Sequence, residues 1–148
     1  FVKRRMRESG EKLREIEAKL RQGQRLILFP EGTSSDGNRV LPFNSTFFAA
    51  GSTRWDGFPV KVQPIAIGYT RLLGIPLGRG DRPSCAWYGD MSLAGHLWSV
   101  FKSGTTDVEV AFLPSVTACD FASRKELAKS CESNVAFALS DMLGGNFR

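Results

Sequence analysis

Residues Arg25–Phe43 read RLILFPEGTSSDGNRVLPF, and the rest of the chain is organised around them. Leu26-Ile27-Leu28-Phe29 is a short apolar run bounded by turn-forming residues, the pattern of a buried strand. Pro30 lacks an amide hydrogen and ends the ladder there. Behind it come Glu31, Gly32, Thr33, Ser34, Ser35, Asp36 and Gly37, a loop dense in carboxylate and hydroxyl groups. A carboxylate at the carboxyl end of a strand, beside a glycine that lets backbone approach a ligand, is a common site geometry in α/β sheets. The same residue types also serve plain turns, so on pattern alone both uses stay open.

Upstream, Met6–Gln22 has helical spacing: Met6, Leu13, Ile16 and Leu20 fall on one narrow face, and Gly23 sits at the C-terminal cap. Glu8 with Lys12, Glu15 with Lys19 and Glu17 with Arg21 are i,i+4 pairs in the favoured orientation. Downstream, Ser45–Ala50 reads as a short helical turn whose Phe47 and Phe48 could line an acyl-chain groove or simply pack in the core. Val60–Tyr69 is the next strand, and Pro64 within it predicts an edge position or a bulge. Residues 70–86 are rich in Gly and Pro and read as loop. Ser92–Phe101 follows as a helix capped by Ser92. Thr106–Phe112 is a strand with Val108, Val110 and Phe112 on one face, ended by Pro114. Ser123–Leu143 closes the chain as a long helix, with Ser123 and Glu126 as a capping box and Gly144-Gly145 at its end. This alternation predicts a single α/β domain, a mixed or mostly parallel sheet flanked by helices.

The 148 residues are one domain's worth, and 42% hydrophobic with 24% charged residues is ordinary for a globular class. The chain begins with Phe1 rather than Met, so a fragment or a processed product is expected. No run approaches the roughly 20 apolar residues needed to span a bilayer, and no signal peptide is visible. The net charge of +5 is concentrated: residues 1–25 hold nine Lys/Arg against four Asp/Glu, and the remainder holds eleven of each. A basic helical segment suits an anionic partner, a membrane surface or a phosphate group. Nucleic acid is the competing partner, but no base-reading motif or stacking platform accompanies the charge. Cys85, Cys119 and Cys131 are odd in number and widely spaced, which fits neither a zinc site nor a disulfide framework. They are expected to be reduced, mostly buried small residues.

Phe29-Pro30-Glu31-Gly32-Thr33 resembles the F-P-E-G-T block of the glycerolipid acyltransferases, the family that includes 1-acylglycerol-3-phosphate acyltransferase. Two further blocks agree in order and spacing. Phe1-Val2-Lys3-Arg4 is similar to the upstream block, in which an apolar strand end delivers an arginine. Val62-Gln63-Pro64-Ile65-Ala66-Ile67 is similar to the downstream V-P-V-A-I strand. Trp87-Tyr88-Gly89-Asp90-Met91, with His96-Leu97-Trp98, resembles a bacterial subgroup that includes lyso-ornithine lipid acyltransferases. The resemblance implies that residues 1–148 are the C-terminal part of an acyltransferase domain. It implies transfer of a fatty acyl group to a lysolipid hydroxyl, from a thioester on acyl carrier protein or coenzyme A. The site would lie at the cytoplasmic face of a membrane, in bacteria the inner one, with no metal or redox cofactor. The rival reading is a pseudo-acyltransferase that binds the lysolipid without chemistry.

Acyl transfer to a hydroxyl needs a base and a group that orients it. The resembled family uses the histidine and aspartate of N-H-x-x-x-x-D, upstream of its arginine block. Here the one histidine is His96, and the residue five places on is Phe101, so no catalytic residue is assigned within this chain. What the resemblance carries over is acceptor binding. Arg4 would hold the acceptor's anionic group, because its planar fork bonds oxyanions at two points. Glu31, Gly32 and Thr33 would shape the acceptor pocket, with Glu31 accepting from an acceptor hydroxyl or amine or else fixing Arg4. Ser34, Ser35 and Asp36 would add contacts or form the turn. Two departures bear on the acceptor: Ser34 stands where the family block carries arginine, and Asn44 where P-F-K-x-G carries lysine. Two cations suited to a phosphate are thus missing, which favours a lyso-ornithine-type aminolipid, although Arg39 lies nearby and could replace one of them.

Overall fold

The computed structural model describes residues 2–145, and within the first helix the side chains at 10, 11 and from 13 onward. That helix, α1, spans Val2–Arg21, so Val2, Lys3 and Arg4 lie on helical backbone and not at a strand end. The run of Lys, Arg and Glu that follows Phe1 has good helix formers at nearly every position, and the helix extends through it. Half-buried Leu13, Ile16 and Leu20 form the stripe expected from the spacing. Lys19 Nζ lies 2.7 Å from Glu15. The Glu8–Lys12 pair falls outside the described side chains. Gly23 ends the helix at φ +76, with the amides of Gly23 and Gln24 bonded back to the carbonyls of Leu20 and Lys19.

Leu26–Phe29 does not form the buried strand that its apolar run predicts. Among the described residues no strand pairs with it, and Ile27 and Phe29 are 81% and 76% exposed. Past the loop, a short 3-10 turn at Phe47–Ser52 buries Phe48. Seven strands and two more α-helices follow among the described residues. β1 (Arg54–Trp55) and β2 (Phe58–Pro59) form a small ribbon, and β3 (Lys61–Val62) precedes the long β4 (Ile65–Leu72). β5 (Ile75–Pro76), α2 (Leu93–Ser103) and β6 (Thr106–Phe112) come next, then β7 (Val116–Thr117) and α3 (Arg124–Leu143).

The sheet order is β5-β4-β6, and β3 pairs separately with β7. The domain mixes helix and strand as expected, but every strand pair among the described residues is antiparallel. The excursion from Leu73 to Thr105 leaves and returns at one end of the sheet, where the Leu73 amide bonds the Thr105 carbonyl at 2.8 Å. A connection of that kind forces antiparallel pairing, whereas a parallel pair needs a crossover to the far end. Pro64 splits the predicted Val60–Tyr69 strand, because it cannot donate to a ladder. β3 and β4 therefore join different partners, and an irregularity at Tyr69/Arg71 bends β4 further.

One face of β4 carries Ala66, Gly68 and Thr70, all buried. These small residues let α3 approach closely: a Cβ at Gly68 would lie 3.3 Å from both Leu139 Cδ1 and Met142 Sδ. Val135, Ala138 and Met142 pack there with Ala66 and Ala111, while Leu127, Ala128 and Cys131 pack on Phe48. Phe43 touches both clusters and stacks on Phe48 at 6.1 Å between ring centroids. The opposite sheet face, with Ile67, Val108, Val110 and Phe112, is exposed. All three cysteines are free; only Cys131 is buried, and Cys119 is exposed, contrary to expectation.

Candidate functional site

The loop after Pro30 is a closed structure. The Gly32 amide bonds the Phe29 carbonyl at 3.3 Å, and Gly32 sits at φ +71 with no atom within 4 Å of where a Cβ would stand. Glycine is required there by the backbone conformation and not by crowding. Glu31 Oε2 accepts the Leu41 amide at 2.8 Å, and the Pro30 carbonyl accepts the Asn44 amide at 2.8 Å. Segment 38–44 thus runs back beside 30–31. Glu132 of α3 fixes it from below, accepting the Phe43 amide at 2.9 Å while paired with Lys129 at 2.6 Å. Lys129 and then the Phe43 amide hold the Glu132 carboxyl below its ordinary range. Glu31 behaves in the opposite way: burial pushes its carboxyl up, against the bond from Leu41.

Glu31 therefore holds its own loop with one oxygen, and its Oε1 has no partner among the described residues. Thr33 and Ser34 are exposed, and their hydroxyls are likewise unpartnered among the described residues. Ser35 and Asp36 form the turn: Ser35 Oγ accepts the Gly37 amide at 3.3 Å, and Asp36 accepts the Asn38 amide and side chain at 3.0 and 3.1 Å. Asn44 likewise accepts the Thr46 amide through Oδ1 at 3.0 Å. Glu31, Gly32, Thr33 and Ser34 are thus contiguous on one turn. The side chain of Arg4 lies outside the described residues, and Leu41 is the partner that the structure assigns to Glu31.

A residue that sequence reading passed over anchors the far side of the loop. Arg82, in the Gly- and Pro-rich stretch, is only 4% exposed. It donates to the Tyr69 carbonyl at 3.1 Å, to the Leu77 carbonyl at 2.8 Å and to Asn38 Oδ1 at 2.6 Å. Asn38 in turn donates to the Arg79 carbonyl at 3.1 Å, and Gly37 lies on the Arg82 stem. The signal was present in Arg79-Gly80-Asp81-Arg82, two arginines in a stretch otherwise built for turning.

His96 is half-buried on α2, and among the described residues no carboxylate bonds its ring. Phe47 and Phe48 serve the core, Phe48 fully and Phe47 at its edge. Among the described residues no cluster of His, Cys, Asp or Glu could hold a metal ion. The turn offers an open carboxylate oxygen and two hydroxyls, which can bind and orient a polar acceptor but cannot by themselves supply the imidazole base of acyl transfer.

Residues 1–68 match the family model described as Acyltransferase. The chain is 40% identical over 152 residues to a lyso-ornithine lipid O-acyltransferase of Rhizobium meliloti (strain 1021), covering 100% of this chain and 52% of that protein. It is 43% identical over 134 residues to the protein of that name from Brucella abortus (strain 2308), covering 88% of this chain and 50% of the relative. A 1-acyl-sn-glycerol-3-phosphate acyltransferase of Neisseria gonorrhoeae is 27% identical over 142 residues, 95% of this chain and 52% of its own. The chain thus spans about half the length of the curated relatives it matches. No solved structure matches it at comparable significance. With the F-P-E-G-T turn inside the matched residues, residues 1–68 carry the acyltransferase family match, and the chain is similar to acyltransferases along its whole length.

Proposed function

We propose that the protein carrying this chain transfers a fatty acyl group from an acyl thioester to a lysolipid hydroxyl in membrane lipid biosynthesis, and that this chain supplies the acceptor side of the site. The observation that carries the reading is the closed Glu31 turn, which leaves Glu31 Oε1 and the Thr33 and Ser34 hydroxyls open to a ligand. The donor is acyl carrier protein or coenzyme A charged with the acyl group, a chemistry that calls for no metal or redox cofactor. The acceptor is a lyso-ornithine-type aminolipid. Ser34 and Asn44 offer neutral groups where a phosphate dianion would favour cations, and the relatives at 40–43% identity carry that acceptor in their names. A membrane surface, at the cytoplasmic face, is the place of action. In support, α2 buries no residue, and Leu97, Trp98 and Phe101 are exposed on it with Lys102 Nζ 5.2 Å from the Trp98 ring. Trp, Leu and Phe flanked by a cation suit the lipid interface. Among the described residues no helix is long and apolar enough to cross the membrane.

The test is a side-by-side acceptor assay of the full-length protein, with acyl carrier protein and coenzyme A donors and with lyso-ornithine lipid and lysophosphatidate acceptors. Ester formation on lyso-ornithine lipid at least equal to that on lysophosphatidate is expected, and Ser34→Arg is expected to move the balance toward the phosphate. The 148-residue chain alone, without a histidine paired to an aspartate, is expected to be inactive. Binding of both lysolipids with no turnover would instead make the protein a non-catalytic lipid-binding relative.

A further inference from the structure

The segment that closes the Glu31 turn also borders a shallow, solvent-open cavity of about 550 Å³. That lies within the size of small-molecule sites, roughly 300–1,000 Å³. Its lining includes three arginines, Arg39, Arg79 and Arg82, together with apolar Val40, Leu77 and Leu139. Arg82 is buried and bonded only to neutral oxygens, those of Tyr69, Leu77 and Asn38. A guanidinium presents five N–H donors, so its bonding capacity is not exhausted. Among the described residues no carboxylate forms an ion pair with any of the three arginines. Asp36 bonds Asn38 through both oxygens, and its charge acts on Arg39 and Arg79 without forming an ion pair with either. Asp81 is exposed on the turn that carries Arg82. Cations thus outnumber carboxylates along this lining, and the local excess of positive charge favours an anion.

We propose that this cavity binds an amphiphile through an anionic group of its head, with that carboxylate or phosphate against Arg39 and Arg79 and the alkyl chain along Val40, Leu77 and Leu139. On the acyltransferase reading, from which this identification follows, the amphiphile is the lysolipid acceptor. Arg39 stands two residues before Leu41, whose amide Glu31 holds, so a headgroup on Arg39 rests on the segment to which the open carboxylate is bonded.

The experiment measures binding to the full-length protein in detergent by calorimetry, for wild type and for the double variant Arg39→Gln/Arg79→Gln. The probes are N-octanoyl-ornithine, its methyl ester with the carboxylate masked, a short-chain lysophosphatidate, inorganic phosphate and coenzyme A. Loss of charge-assisted bonds is expected to weaken the first and third probes roughly ten- to hundredfold in the variant. The methyl ester is expected to bind wild type and variant alike. Both arginines are exposed, so the melting temperature should hold; if the double variant melts lower, each single variant carries the same comparison. Unchanged affinity for N-octanoyl-ornithine would overturn the proposal. A response confined to coenzyme A or to inorganic phosphate would overturn it too, assigning the cavity to the donor or to a free anion. Failure of the acyltransferase reading has a different mark: no turnover by wild type, while arginine-dependent binding of the amphiphiles persists.

Discussion

Replacing Arg82 with Met keeps most of the stem that lies on Gly37 but removes the guanidinium. Three hydrogen bonds go: to Tyr69 O at 3.1 Å, to Leu77 O at 2.8 Å and to Asn38 Oδ1 at 2.6 Å. Asn38 is partly exposed and can turn to water. The Leu77 carbonyl belongs to a buried residue, and that of Tyr69 to a half-buried one. An acceptor left unpaired in such surroundings costs about 1–3 kcal/mol. Against this stands the relief of no longer burying a charge, which offsets part of the loss. A net destabilisation of about 2–4 kcal/mol is therefore expected, or a fall in melting temperature of roughly 4–16 °C at about 2–4 °C per kcal/mol. Arg82→Lys keeps the charge and can make one of the bonds, so it should fall between. Thermal melts of the full-length protein in detergent, read by intrinsic fluorescence, measure both. A shift below about 2 °C for Arg82→Met would refute the idea that this network holds the loop.

Four further outcomes are expected. Glu31→Gln keeps an acceptor for the Leu41 amide and loses the burial penalty, so it should be no less stable than wild type at neutral pH, while Glu31→Ala should lose about 1–3 kcal/mol. Because burial raises Glu31, its stabilising contribution is fully present below the ordinary value of about 4.3 and is lost as pH rises through the raised folded one. Glu132 is lowered by Lys129 and the Phe43 amide, so its contribution is lost as pH falls; melts of wild type, Glu31→Gln and Glu132→Gln across pH separate the two. Gly68→Val would push methyls onto Leu139 and Met142, already 3.3 Å from its Cβ position, and overpacking should cost about 1–3 kcal/mol in chemical denaturation. Leu97→Ser/Phe101→Ser should lower sedimentation of the protein with anionic vesicles at least tenfold, since burying each side chain is worth about 1.5–3 kcal/mol; unchanged partitioning would remove α2 from the membrane contact.

Helix positions were legible because caps and periodicity are local, although Ser92, at the start of α2, makes no side-chain capping bond. Ser123 Oγ accepts the Glu126 amide at 3.2 Å, as a capping box requires, although the Glu126 carboxylate reaches the Ala122 amide instead of that of Ser123. Strand partners were not legible in the same way. Alternation says that Val108, Val110 and Phe112 share a face, and they do; it cannot say whether anything covers them, and here they are exposed. The apolar run Leu26–Phe29 shows the same limit, since a strand exists only with a neighbour to bond. For the site, the F-P-E-G-T turn was legible as a block, but the partner of Glu31 was not. Its Leu41 bond joins two parts of one loop, and no periodicity records that. Arg82 was hidden for a related reason: a cation in a Gly-rich stretch reads as solvated until the fold buries it.

The tethers of segment 38–44 carry a consequence for specificity. Asn38 is held by Arg82, Leu41 by Glu31, Phe43 by Glu132 and Asn44 by Pro30. Four anchors within seven residues leave the segment little freedom of its own. The arginine-lined wall and the Glu31 turn must therefore shift together or not at all, because the same backbone forms the edge of one and the closure of the other. A headgroup seated on Arg39 would then set the position of its own hydroxyl relative to Glu31 without a lid or a hinge. Rigid placement of this kind favours acceptors whose anion and hydroxyl are separated by one fixed distance.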